Sequence, residues 1–148
     1  MKTTEDIINE VHRDITAVTK ETSAYDAVQT MVAKKVGAIL VKDGDEIVGI
    51  WTERDMLRNV LSPEFDIKTS KIGELMVRGV YSIGHDVTVN KLLDTFMENG
   101  TRYLLVEKNK QYIGLVSIGD AIREYYLELR SYFTLKFYES SLRRPKGH

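Results

Sequence analysis

The sequence predicts a mixed α+β (α/β-like) fold made of two β-α-β-β-α repeats and an extended C-terminal helix. Three observations predict it. The first is a repeated motif. Gly49-Ile50-Trp51-Thr52-Glu53-Arg54-Asp55 is matched 65 residues later by Gly114-Leu115-Val116-Ser117-Ile118-Gly119-Asp120. Each copy is a glycine, two apolar residues, a hydroxyl, two variable residues and an aspartate, and such self-similarity at fixed spacing marks a duplicated unit. The second is that the register extends without a gap, pairing Ile7 with Ile72, Arg13 with Arg78, Thr30 with Thr95, Leu40 with Leu105, Val41 with Val106 and Arg58 with Arg123. The third is that apolar residues in each half alternate between helical spacing and short strand-like runs. Identity between the halves is low, and most other pairs, such as Val18 with Ile83 and Met31 with Phe96, keep only their polarity.

The elements follow in order. Thr3 or Thr4 can cap a short helix around Ile7, Ile8 and Val11, with Glu5 and Asp6 in its first turn facing the positive end of the helix dipole. A strand is expected near Ile15 to Val18. Thr22 or Ser23 opens a helix with Ala24, Ala27, Val28, Met31 and Val32 at helical spacing, and Gly37 ends that region. Ala38 to Val41 reads as a buried strand, Asp43-Gly44 as a hairpin turn, and Ile47 to Trp51 as the returning strand. Thr52 then caps a helix through Asp55, Met56 and Leu57. After a linker around Ser62-Pro63-Glu64-Phe65-Asp66 the order repeats: a helix near Ile72 to Met76, a strand from Val80 to Ile83, and a helix from Thr88 to Glu98 broken by Asn99-Gly100. Strands at Arg102 to Val106 and Tyr112 to Val116 follow, and a helix opens at Ser117. The expected organisation is repeat 1 over 5–61, a linker over 62–70, repeat 2 over 71–127, and a helical extension with a tail over 128–148.

The last helix is long for a half-repeat. Ile122, Tyr126, Leu129, Phe133 and Phe137 form one apolar stripe, and nothing in the first half matches it, because the corresponding helix meets Pro63. The stripe is either a contact between subunits, which would make the protein a homodimer, or a cover folded over its own core.

Composition narrows the function. With 148 residues, 43% hydrophobic and 29% charged, the chain suits one globular domain or two half-domains sharing a core. Its 21 basic and 22 acidic residues leave a net charge of −1, which gives no long-range attraction to nucleic acid or to an anionic membrane. The absence of cysteine excludes disulfides, thiolate catalysis and zinc–cysteine sites. No apolar run approaches the ~20 residues of a membrane helix, and the N-terminus lacks the apolar core of a signal peptide, so a cytoplasmic location is expected.

Three local patterns, each present twice, in order and at one offset, carry a family resemblance. The openings Val11-His12-Arg13-Asp14-Ile15-Thr16-Ala17-Val18 and Met76-Val77-Arg78-Gly79-Val80-Tyr81-Ser82-Ile83 match, as do the central strands Gly37 to Val41 and Arg102 to Val106 and the endings Thr52 to Asp55 and Ser117 to Asp120. Over about residues 5 to 125, each half resembles a cystathionine-beta-synthase (CBS) domain, and the tandem resembles a CBS pair, or Bateman module. The resemblance implies pseudo-twofold symmetry, two sheets packed face to face with helices outside, and two clefts between them. It also implies an adenosine-containing ligand (AMP, ADP, ATP or S-adenosylmethionine) with no required cofactor, and a stand-alone regulatory module acting on a separate target protein. Two such modules often form a flat four-repeat disc.

The chemistry of the repeated motif fits such clefts. A carboxylate offers two acceptor oxygens to the two ribose hydroxyls, while a capping hydroxyl and the first amides of a helix suit a phosphate. Asp55 with Thr52 would form one corner, and Asp120 with Ser117 the other. Ordinary first-turn capping accounts for the same residues. The resemblance places adenine against the opening strand of the opposite half: Ile15 and Thr16 for the Asp120 site, Val80 and Tyr81 for the Asp55 site. Tyr81 could stack on a base or sit in a core. Arg54 would supply the cation beside Asp55. Arg102 would do so at the Asp120 site, where Ile118-Gly119 replaces the commoner charged pair. Arg13 and Arg78 would add charge near the cleft mouths, or else be solvated. Arginine suits phosphate because its planar fork holds two oxygens together.

Other classes fit less well. His12, His85 and His148 have neither ligand spacing nor a neighbouring nucleophile, and no Walker-type glycine loop is present, which argues against an enzyme. A basic aromatic tail, with Tyr132, Phe133, Lys136, Phe137, Tyr138, Arg143, Arg144 and Lys146, could hold a single-stranded nucleic acid, although the charge balance opposes it. A dimerisation module with degenerate clefts is the remaining alternative.

Overall fold

The computed structural model describes residues 1–11, 15–132 and 143–147. In the first half, α1 (Thr4–Val11) leads into β1 (Ala17–Thr19), α2 (Ala24–Lys34), β2 (Ala38–Asp43), β3 (Glu46–Thr52) and α3 (Glu53–Val60). The second half runs through α4 (Ile72–Leu75), β4 (Val77–Arg78), β5 (Ser82–Gly84), α5 (Val89–Asn99), β6 (Tyr103–Lys108), β7 (Gln111–Ser117) and α6 (Ile118–Tyr132). The strands form two sheets, ordered β1-β2-β3-β4 and β5-β6-β7. In each, a parallel strand flanks an antiparallel hairpin, and the register repeats at 65 residues: Ala38 faces Thr52 as Tyr103 faces Ser117. Even the irregularity is copied. Both hairpins slip after the last buried valine, between Val41 and Lys42 and between Val106 and Glu107, a bulge that increases strand twist at the same place in each half.

Local chemistry accounts for the helix ends. Ser23 caps α2, its side chain accepting from the Asp26 amide. The helix is ended by Lys35 in the left-handed conformation (φ 56°), two residues before the expected Gly37, and the Lys35 N–H donates to Met31 O and Val32 O. Gly100 closes α5 as expected, its N–H donating to Phe96 O.

Each sheet carries its own core. Ile39, Val41 and Trp51 pack with Ala24, Ala27 and Met31 of α2; Leu104, Val106 and Val116 pack with Val89, Leu92 and Phe96 of α5. The positions between, Leu40 and Leu105, are also buried, at 0% and 1% exposure. Side chains alternate across a strand, so both faces of each central strand are covered, one by helices and the other where the two sheets face each other.

The halves exchange their first helices. Ile7 and Ile8 of α1 belong to the second core, and Ile72 of α4 to the first. Matching backbone hydrogen bonds hold both helices in place. Thr4 N–H donates to Val87 O, Glu5 N–H to His85 O, and Val89 N–H to Lys2 O; Ile72 N–H donates to Thr22 O, Gly73 N–H to Lys20 O, and Ala24 N–H to Ser70 O. These contacts equate Thr4 with Ile72, an offset of 68, whereas Leu40 N–H to Thr16 O and Leu105 N–H to Tyr81 O keep the offset of 65. The gapless register therefore fails at its start. Ile7 and Ile72 are not structural counterparts, and the additional residues lie in α1, eight residues long against four for α4.

The exchanged helices also explain the glycine that opens each repeated motif. A Cβ on Gly49 would lie 2.5 Å from Met76 Sδ, and one on Gly114 2.8 Å from Ile8 Cδ1. Each glycine lets the other half's first helix lie against the strand.

One further expectation is corrected, and the apolar stripe is placed in part. The strand expected from Val80 to Ile83 starts later, as β5 at Ser82, and an unexpected strand precedes it: β4 crosses to pair with β3 of the first sheet, and the chain turns at Gly79 (φ 78°) before β5 starts the second sheet. On α6 the buried residues are Ala121 and Glu124, while Ile122 and Tyr126 of the apolar stripe are each 53% exposed. These two residues therefore do not cover the core, and the stripe's members Phe133 and Phe137 lie outside the described residues. The inner face of α6 holds the chain start instead. Glu124 pairs with the Lys2 ammonium at 3.0 Å, and Glu128 accepts from the Lys2 backbone N–H.

Candidate functional site

The repeated hydroxyl and aspartate form a reciprocal cap at each site. The Asp55 N–H donates to Thr52 Oγ1, while Asp55 Oδ2 accepts from the Thr52 N–H and hydroxyl, each at 3.0 Å. Asp120 N–H donates to Ser117 Oγ, and Asp120 Oδ2 accepts from the Ser117 N–H at 3.0 Å. Capping is thus part of what these residues do. It occupies Oδ2 of Asp55, whose other oxygen lies 3.7 Å from Arg58 Nη1.

Two clefts lie beside these corners. One, of about 330 Å3, is lined by Thr52, Arg54, Asp55 and Arg58 from the first half and by Val80, Tyr81, Arg102 and Tyr103 from the second, among others. The other, of about 200 Å3, is lined by Thr16, Lys35, Gly37, Ala38, Glu53, Tyr103, Leu115 and Ser117, with Val36. At an offset of 65 the linings correspond: Thr16 with Tyr81, Gly37 with Arg102, Ala38 with Tyr103, and Thr52 with Ser117. Each cleft joins the repeated hydroxyl–aspartate motif of one half to the strand openings of the other.

This geometry sorts the expected residues. Thr52, Arg54, Asp55, Val80 and Tyr81 come together in the larger cleft, where Tyr81 is 69% exposed and available to a ligand rather than part of a core. Thr16 and Ser117 share the smaller one. Arg102 was expected with Asp120 and instead lines the Asp55 cleft, because the start of each central strand faces the other half's motif. Ile15 lines a separate groove between the hairpin tips with Ile47 and Tyr112. Arg78, on β4 at the edge of the first sheet, lines a different concavity with Lys20, Lys71 and Glu74. Asp120 is not among the residues lining the Ser117 cleft. Arg13 lies outside the described residues.

Sequence reading missed Arg58, Glu53 and Tyr103 as lining residues. Arg58 carried a signal, one helical turn after Asp55 and repeated as Arg123. Glu53 and Tyr103 line both clefts, a property of the packed halves with no local signature.

Away from the clefts, Glu5 of α1 accepts from Lys108 Nζ at 2.8 Å and lies 3.1 Å from His85 Nδ1. The Lys108 hydrogen bond, helped by His85, holds the Glu5 carboxyl below the usual carboxylate range. Among the described residues, no group of three or more His, Asp or Glu side chains is placed to hold a metal ion, and no helix is long and apolar enough to cross a membrane. Of the basic aromatic tail, Arg143, Arg144 and Lys146 are exposed outside regular structure; Phe133, Lys136, Phe137 and Tyr138 lie outside the described residues.

Two like halves, each offering a capped helix start to the strand openings of the other, define a tandem-repeat module with paired inter-repeat clefts. The chain belongs to the CBS domain family, whose profile matches residues 5–62 and 72–126. It is 34% identical over 110 residues to the mitochondrial CBS domain-containing protein CBSX3 of Arabidopsis thaliana, an alignment covering 71% of this chain and 53% of that protein. It is 34% identical over 101 residues to the protein YlbB of Bacillus subtilis, covering 66% and 67%. Thus the chain spans about half to two thirds of the length of these relatives. Among solved structures, a CBS-domain protein from Burkholderia ambifaria superposes with a TM-score of 0.81 at 32% identity, covering 94% of this chain and 100% of that one.

Proposed function

We propose that the chain is a regulatory CBS pair that binds an adenine nucleotide in the Asp55 cleft and reports occupancy to a separate protein. The observation that carries this reading is the meeting of Asp55, Arg54 and Arg58 of one half with Tyr81 and Arg102 of the other around one cavity of about 330 Å3. Asp55 Oδ1 is the oxygen outside the cap and accepts from the ribose; Tyr81 offers a ring to the base. Three guanidinium groups with the first amides of α3 suit phosphate, which favours AMP, ADP or ATP over the cationic S-adenosylmethionine. A hydrogen bond to a charged group contributes roughly 1.5–3 kcal/mol. A ligand spanning both halves shifts their arrangement only through its differential affinity for the two arrangements, and that shift is the signal.

The same reading includes a homodimer. Leu57 and Val60 on α3 and Leu61 at its C-terminal cap are 55–84% exposed, and their counterparts on α6, Ile122, Tyr125 and Tyr126, are 39–53% exposed. Val32 on α2 and Met97 on α5, also paired at 65, are 71% and 75% exposed. Apolar faces repeated by the pseudo-twofold are suited to a second copy, because a symmetric contact uses the same patch on both partners.

Thermal unfolding against AMP, ADP, ATP, S-adenosylmethionine and NAD tests the ligand. Binding to the native state alone stabilises by about 2.7 kcal/mol at a hundredfold excess over Kd. The expected result is a shift with an adenine nucleotide that is lost in Arg102→Ala. No shift with any of the five ligands would overturn the reading in favour of an interaction module.

A further inference from the structure

The backbones of the two clefts are copies of each other where the halves' chemistry is opposite. Glu53 N–H donates to Gly37 O at 2.9 Å, and Ile118 N–H donates to Arg102 O at 2.9 Å. Residue 37 therefore stands in the Ser117 cleft where residue 102 stands in the Asp55 cleft. One is a glycine and the other an arginine. The space above the glycine is taken. A Cβ on Gly37 would lie 3.0 Å from Glu53 Oε1 and 3.0 Å from the Tyr103 hydroxyl oxygen. Glu53 thus lays its carboxylate over the position from which, in the other cleft, an arginine side chain rises. Its own counterpart, Ile118, is apolar and packs on the second core. The remaining cations are lost in the same direction. Gly119 matches Arg54, and Arg123, which matches Arg58, is not among the residues lining the Ser117 cleft. The Asp55 cleft holds three arginines against two carboxylates, the Ser117 cleft one lysine against one carboxylate, in about 200 Å3 instead of 330 Å3.

From this inversion we infer that Glu53 determines specificity between the clefts: it bars phosphorylated ligands from the Ser117 cleft and leaves that cleft to a nucleoside without phosphate. The inference rests on the adenine-nucleotide reading above and extends it, since that reading leaves the occupancy of the second cleft open. A carboxylate held over Gly37 in the narrower of the two clefts repels a phosphate that has no guanidinium there to pair with. A neutral nucleoside meets no such opposition, and Ser117 and Thr16 line the cleft as polar contacts.

Isothermal titration of the full chain with AMP, and separately with adenosine, tests this on wild type, Glu53→Gln, Glu53→Ala and Arg102→Ala. Glu53→Gln removes the charge, and Glu53→Ala also clears the space above Gly37. The expected wild-type result is one AMP per chain, abolished by Arg102→Ala. In Glu53→Ala a second AMP binds, about tenfold or more tighter than any second event in wild type. Adenosine binds the Ser117 cleft in wild type and in Arg102→Ala. The inference is overturned if wild type takes two AMP with similar affinity. It is also overturned if both Glu53 variants, with circular dichroism spectra matching wild type, stay at one. Either outcome leaves nucleotide binding standing. Wild type that binds no AMP removes the nucleotide reading itself, and this inference with it.

Discussion

Asp55 carries two demands on one side chain. It is 92% buried, and one of its oxygens is committed to the start of α3. Replacement by alanine therefore removes a cap before any ligand is considered. We expect Asp55→Ala to lower stability by about 1 kcal/mol in urea titration, within the range for lost caps, and to abolish the nucleotide-induced shift. Arg102→Ala, exposed and distant from the cores, should change stability by no more than about 0.5 kcal/mol while removing the same shift. The contrast separates binding from folding. Trp51 poses a related problem within the first core: fully buried, it donates its indole N–H to Asn59 Oδ1 at 2.8 Å. Asn59→Ala leaves that donor unpaired, and we expect a loss of about 1–3 kcal/mol in equilibrium unfolding. The capped aspartates were legible in the sequence because capping is a contact between residues three apart. The cleft that Arg102 serves was not, since the residues it meets come from the other half. Nor was the carboxylate over Gly37: a glycine in a sequence shows a missing side chain and says nothing of what fills its place.

At the level of elements, the repeat that betrayed the duplication also hid how the duplicates join. Strands and helices were largely legible because their apolar periods are local, and the hairpin at Asp43-Gly44 and the break at Gly100 followed from turn chemistry. The exchange of α1 and α4 had no such signal, and the added turn of α1 was invisible while Ile7 could be set against Ile72. The crossing of β4 was hidden likewise, since two residues pairing with the other sheet leave no period to read. The glycines of the repeated motif do carry the exchange, through packing. Gly49→Ala would press on Met76 and on the Val77 carbonyl oxygen, 2.8 Å from the added carbon. We expect a cost of about 1–3 kcal/mol, as for other overpacked sites, measured by chemical denaturation. The docking of α1 should also be sensitive to acid. A carboxyl whose folded pKa is depressed contributes stability that is complete above its unfolded value and lost as pH falls through the folded one. Glu5, held down by Lys108, is of this kind. Glu5→Gln should therefore unfold at a lower temperature than wild type near pH ~7, with the gap closing as pH falls to ~3.

At the scale of the whole molecule, the pseudo-twofold repeats several exposed apolar positions of one half in the other, and the proposed homodimer would use them. Leu61, at the C-terminal cap of α3, and Tyr126, at the matching place on α6, are 84% and 53% exposed. If these faces join two copies, Leu61→Glu with Tyr126→Glu should give a monomer in sedimentation velocity where wild type gives a dimer, with an unchanged circular dichroism spectrum. A double variant that stays dimeric would place the contact elsewhere. The exchange of first helices has a different consequence, for how the chain is made. During synthesis α1 leaves the ribosome well before its partners Leu104, Val106 and Val116, which emerge about a hundred residues later. The first core, for its part, waits for Ile72. A helix made early is thus seated late, and neither half can be completed on the ribosome before the other has begun. A chain cut in the linker would yield two fragments, each carrying the helix the other needs, and their recovery of structure would depend on meeting in solution.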